Sequence, residues 1–249
     1  AMEGTSEFLD NRKKYLKNRD MVATTTLTEL NNGSQVDFNS YERKLLFDTI
    51  MNDINQFVPF DTPDKMKDLT LYCKEVLPSL FKFDYNNKVL PFFDGSTMRK
   101  DNITPTEQFI MGQHFYDPSY VPCYVESDGN CLFRAGALSA FSSQELHEEL
   151  RLSTFVTMVT KKDKLKSMIT PTVWNVLHDF EHEYPKDLMD VLKPGEHCGF
   201  LAMAAMSMTL GRKIFSAYPR LNGEDDVSPD VYSIVFDPCP EETEIPMIE

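Results

Sequence analysis

The stretch "ESDGNCLFRA", residues 126–135, decides how the chain is read. Asp128 stands three residues before Cys131, with Gly129 and Asn130 between them, and an apolar run follows. Asp-Gly-Asn is turn chemistry: glycine tolerates backbone conformations closed to other residues, and Asp and Asn side chains bond to nearby main chain. Helical spacing starts at Cys131 and runs to about Phe141. A cysteine at the first position of a helix has its thiolate stabilised by the free N–H groups and dipole of the helix end. The same N–H groups can hold the oxyanion of an acyl-transfer intermediate. The plainer alternative is a common turn followed by a core helix with an ordinary free cysteine.

Outward from this stretch, the order reads as helices first, then a strand, four helices and two strands. Ahead of it, "YVPCYVE" (120–126) reads as a short strand. Behind it, an amphipathic helix is expected from Ser143 to about Lys166, and another opens at "TPTVW". "GEHCGFLAMAAMSMTLG" (195–211) is small and methionine-rich and reads as a buried helix closed by Gly211. Then come a strand at 214–217, the extended "VYSIVFDP" and the strand start "EIPMIE". Upstream, apolar residues from Tyr41 to Phe57 recur at helical spacing, with Ser40 as N-cap. A second helix runs from Pro63 to Leu77, and "TPTE" (104–107) is a capping box that opens a third. The order implies a mixed α/β fold with a small sheet and many helices. Three regions are expected: an arm over 1–36 with a vector-derived start, a helical extension over 37–112, and the main domain over 113–249.

Composition narrows the function classes. The 249 residues are 41% hydrophobic and 12% aromatic, enough for a core. The net charge of −14 repels phosphate backbones and argues against nucleic acid as a partner. No apolar run reaches the ~18 residues of a membrane span, and the polar N-terminus reads as no signal peptide. Five irregularly spaced cysteines, with no C-x-x-C, argue against a disulfide framework or structural zinc and for an intracellular, reducing setting, nucleus or cytoplasm. No cofactor and no metal are expected. "HDFEH" (178–182) does match an inverted zincin pattern, with His178 and His182 as ligands and Glu181 as base. It lacks an evident third ligand, and a solvated helix face explains it better. The methionines at 203, 206 and 208 and the aromatic stretch 80–93 suit either core or a partner groove, and core is the expectation for the methionines.

The motif "DGNCLFRA" resembles the nucleophile motif of the ovarian-tumour (OTU) family of cysteine proteases. The later "CGFLAMAAMSMTLGRKIFSAYP" resembles the family's small-residue helix and the strand after it, with Leu201, Ala202 and Ala205 packed beneath the catalytic helix. "IFSAYPRLNGEDD", followed by a Phe-Asp-Pro segment, is similar to a divergent branch that includes vertnin. The resemblance covers about 115–249 and implies an OTU-like fold, a small sheet among helices with an N-terminal helical extension. It implies Cys131 as nucleophile and Asp128, Gly129 and Asn130 as the oxyanion loop, with the Cys131 N–H facing the substrate carbonyl. It also implies ubiquitin or a ubiquitin-like protein as partner.

A cysteine protease further needs a histidine to take the thiol proton and return it to the leaving amine. The resemblance places that base on or just after the last strand. The histidines are His114, His147, His178, His182 and His197, and none follows 197. The expectation is therefore a catalytically inactive chain that keeps the fold as an interaction module or scaffold. The alternative is an active thiol isopeptidase whose histidine lies beyond 249, or whose base is another residue such as His197.

Overall fold

The computed structural model describes residues 41–60, 62–80, 123–141, 143–168, 180–216 and 234–238. The chain divides into two compact units, 1–56 and 57–249. In the first, α1 spans Tyr41–Asn55, as its apolar spacing predicts. All other described elements belong to the second: α2 (Pro63–Leu80), α3 (Cys131–Phe141), α4 (His147–Thr160), α5 (Lys162–Met168), α6 (Phe180–Leu192), α7 (Phe200–Leu210), β1 (Ile214–Phe215) and β2 (Val235–Phe236).

The second unit is built around α4. Residues 150–159 of this helix are all buried, so it has no solvent face within that stretch. Its buried threonines bond in place: Thr154 donates to the Leu150 carbonyl, and Thr209 of α7 donates to Thr157 at 2.9 Å. Around α4 pack α2, α3, α6 and α7. Leu69, Tyr72, Cys73 and Val76 of α2 are buried, and this helix falls in the second unit, whose boundary lies between 56 and 57. Burial pushes the Cys73 thiol well above the usual cysteine range. Tyr184 of α6 is buried and donates its hydroxyl to the Met158 carbonyl at 3.0 Å, pinning α6 to α4.

Small residues set how closely the helices approach. A Cβ at Gly136 of α3 would lie 2.6 Å from Met206 Sδ and 2.9 Å from Leu150 Cδ2, which marks the junction of α3 with α7 and α4. Met206 and Met208 are core, as expected, and Met203 is half-buried. Leu201, Ala202 and Ala205 are fully buried, and α7 packs against both α4 and α3.

Several boundaries differ from the sequence-based expectations. The helix expected over 143–166 is three pieces: a 3₁₀ turn at Gln144–Leu146, α4 and α5. Ser143 caps the turn by accepting from the Glu145 N–H, and Lys161 interrupts the helical backbone. The helix expected to start at 195 starts at Phe200, because Gly195 has a positive φ of 80° and Gly199 is the N-cap. Gly211 closes α7 in the left-handed conformation, as expected. Among the described residues the sheet is one two-stranded antiparallel ribbon, with Ile214 opposite Phe236 and Phe215 opposite Val235. Of "YVPCYVE", Cys123 forms only an isolated bridge and 124–127 have no regular structure. The expected helix at 104–107, the aromatic stretch 81–93, the opening at "TPTVW" and the strand "EIPMIE" lie outside the described residues. No helix among the described residues is long and apolar enough to cross a membrane.

Candidate active site

Asn130 precedes α3 and accepts its first helical bond, from the Arg134 N–H at 2.9 Å. Cys131 is therefore the first helical residue. It is solvent-exposed, whereas Asn130 before it and Phe133 after it are buried. The N–H groups of the first turn have no acceptor within the helix.

Asp128 organises the loop ahead of Cys131. Its Oδ1 accepts the Asn130 backbone N–H at 3.0 Å, and its Oδ2 accepts the Asn130 side-chain amide at 3.1 Å. The same Oδ2 takes Arg134 Nε and Nη2 at 3.0 and 2.6 Å. Because Arg134 sits one helical turn past Cys131, the loop is bonded to the helix it introduces. Glu126 adds a second carboxylate 3.3 Å from Arg134. The bonds from Arg134, with those from Asn130, hold the Asp128 carboxyl well below the usual carboxylate range. The sign follows: a depressed carboxyl supports the fold above its ordinary titration range and loses that support only as pH falls through the lower folded value. In a carboxyl NMR titration Asp128 should stay ionised at about pH 3.5, where ordinary aspartates are largely protonated. A midpoint near the ordinary value would refute the bonded loop.

The loop is also held from outside. Asn130 Oδ1 accepts the Gly195 N–H at 2.8 Å. Gly129, at φ 78°, lies against Gly195 so closely that a Cβ on it would fall 1.8 Å from the Gly195 carbonyl oxygen. Gln144 anchors the incoming segment, donating to the Tyr124 carbonyl at 2.9 Å and accepting from the Glu126 N–H at 3.2 Å.

The feature hidden from sequence reasoning is Arg151. This residue of α4 is 4% exposed, and among the described residues no carboxylate is bonded to it. Nη1 donates to the carbonyls of Asp190 at 2.9 Å, Val191 at 3.3 Å and Lys193. Nη2 donates to those of Glu196 at 2.8 Å and Gly129 at 3.3 Å. The guanidinium carbon lies 4.6 Å from the Phe133 ring centroid, a cation–π contact to α3. Three of the acceptors lie at or just beyond the C-terminal end of α6, where the helix dipole favours a cation. Burial lowers the pKa of Arg151 from its ordinary value. No signal in the sequence marks it, since every hydrogen-bond acceptor is main chain and sequence-remote.

The histidines fall elsewhere. His147 Nδ1 lies 2.8 Å from the Gln144 carbonyl at the start of α4, and His182 is exposed on α6. His197 is exposed in the turn that follows the seam with Gly129. His114 and His178 lie outside the described residues. Beside His197, Cys198 is half-buried with its thiol pushed up to about 11 by burial. Glu181 of "HDFEH" forms ion pairs with Lys162 at 2.7 Å and Lys166 at 2.9 Å, a surface arrangement linking α5 and α6. Among the described residues, no three His, Cys, Asp or Glu side chains form a metal-binding group.

Residues 122–173 match the family model described as "Vertnin, OTU domain". Over this stretch the chain is similar to the divergent, vertnin-like OTU family. No curated protein matches the chain. The OTU match spans the Asp128–Cys131 loop, α3, α4 and α5, and so includes Arg151 as well as Cys131.

Proposed function

We propose that the chain carries an OTU-like fold that is catalytically silent and serves as a protein-interaction module or scaffold. The loop at Cys131 is the contact for the extended tail of ubiquitin or a ubiquitin-like protein. The observation behind this reading is Cys131 itself: it is exposed at the end of a loop bonded on both sides, and among the described residues no histidine is bonded to it. An exposed thiol with no base bonded to it among the described residues favours contact over turnover. Cys131, Asp128, Gly129 and Asn130 then form a recognition loop, in a nuclear or cytoplasmic setting.

A second reading is favoured by the same helix start. The N–H groups there suit both a thiolate and a tetrahedral oxyanion. In an active isopeptidase the Cys131 thiolate adds to the isopeptide carbonyl and the lysine amine leaves with a proton from the base. Water then releases the tail carboxylate and restores the thiol.

Binding and turnover separate the two readings. Ubiquitin titrated into the labelled protein should shift resonances around residues 128–131, and hydrolysis of a fluorogenic C-terminal ubiquitin amide should equal that of Cys131→Ala. Turnover that Cys131→Ala abolishes overturns the silent reading. The absence of binding by ubiquitin and its relatives overturns the partner assignment.

A further inference from the structure

We propose that Arg151 is a positioning residue for Cys131: by tying the Gly129 carbonyl to the backbone of the 190–196 turn, it fixes the peptides that aim the first N–H groups of α3. The inference rests on Cys131 being the reactive group of the site.

The guanidinium is in an unusual position for a merely structural cation. Removing a charge from water costs several kcal/mol unless it is paired (roughly, for a buried ion). Among the described residues Arg151 donates to five carbonyls and no carboxylate, and its buried Nε has no hydrogen-bond partner. If its task were only to close the end of α6, the acceptors at 190, 191 and 193 would suffice. The other two, Gly129 and Glu196, lie on opposite sides of the seam where the Asp128–Asn130 loop meets the turn. The Gly129 peptide is two residues from Cys131, and the Phe133 ring beneath the guanidinium is two residues beyond it. Arg151 thus touches both flanks of the helix start without touching the thiol. Asn130, bonded to the Gly195 N–H, closes the same seam from the loop side.

The side-chain fork explains why arginine is used. A planar guanidinium can serve main-chain acceptors on three segments together, whereas an ammonium on a flexible stem cannot. The peptide carbonyls that bind it are held with their N–H ends pointing elsewhere, so a displaced Gly129 carbonyl rotates the peptide before Asn130. The thiolate then loses part of the dipolar support of the helix end.

The test alkylates the full chain with iodoacetamide at neutral pH, well below the unfolding temperature, and follows the Cys131 peptide by mass spectrometry. In Arg151→Met and Arg151→Lys the rate at Cys131 should fall about two- to fivefold, the scale of one helix-end interaction. Arg151→Lys keeps the charge, so an equal fall in both assigns the effect to the fork and not to the cation. It also serves where Arg151→Met does not fold. Thr209→Val, which breaks the buried Thr209–Thr157 bond away from the loop, controls for lost stability and should alkylate at the wild-type rate. Wild-type rates in the folded Arg151 variants overturn the proposal, as does an equal slowing in Thr209→Val. No ubiquitin enters the assay, so its outcome is independent of which partner the site takes.

Discussion

Gly129→Ala should lower the unfolding free energy by about 3–5 kcal/mol, among the largest losses that one methyl group can cause. Two effects add. At φ 78° any residue with a Cβ carries left-handed strain of roughly 1–2 kcal/mol. The new methyl would also stand 1.8 Å from the Gly195 oxygen, 2.5 Å from its carbonyl carbon and 3.0 Å from its Cα. All three atoms are main chain, so no side chain can turn away to relieve the overlap. The seam must open, and the Asn130–Gly195 and Arg151–Gly129 hydrogen bonds go with it. Gly195→Ala provides the comparison. Gly195 has nearly the same φ, 80°, but among the described residues a Cβ there meets only the Asp128 carbonyl oxygen, at an ordinary 3.6 Å. It should cost only the conformational strain, about 1–2 kcal/mol. Urea denaturation of both variants is the measurement. Equal losses would show that the seam is not closed as described. The same opening should slow Cys131 alkylation in folded Gly129→Ala, in the direction expected for Arg151→Met.

How much of this was legible in the sequence depends on where each bonding partner lies. The Asp128 loop and the start of α3 are local: the acceptor is two residues from one donor and six from the other, and Asp-Gly-Asn before an apolar run encodes them. Gly211 closes its helix with the same locality. The exposure of Cys131 was not legible, because an apolar run after a turn reads equally as a core helix whose first residue is buried. Nor was the break in 143–166. Residues 150–159 are buried on every side, so periodicity has no polar face to register, and the polar members are there to bond within the core. The turn at 195–199 reads as helix from its small residues, but its conformation is set by a backbone contact with Gly129, far away in sequence. Arg151 is the limiting case. Its environment is made of carbonyl groups 22 to 45 residues away, and carbonyls have no residue identity.

The helix that leads into this turn contains a carboxylate that opposes folding at neutral pH. Asp187 of α6 has its pKa raised to about 6, first by burial and then by Asp190 and Glu183, with Lys186 acting the other way. Its Oδ2 lies 3.9 Å from where a Cβ on Gly199 would stand, close to the start of α7. A helix N-terminus favours an anion, but burial and the two neighbouring acids outweigh it. The sign is opposite to that of Asp128. A group whose folded pKa is raised contributes stability that is full below the unfolded pKa, near 4, and is lost as pH rises through about 6. Above that, the ionised carboxylate is a net cost. Asp187→Asn removes the charge with little change in volume and should stabilise the protein by about 1–2 kcal/mol at pH 8 relative to its effect at pH 4.5. Subtracting the two differences cancels whatever the amide itself gains or loses in packing. Denaturant titrations of wild type and variant at the two pH values measure it. A pH-independent difference would mean that Asp187 ionises as a surface carboxylate, and that α6 does not bury its side chain beside the N-terminus of α7.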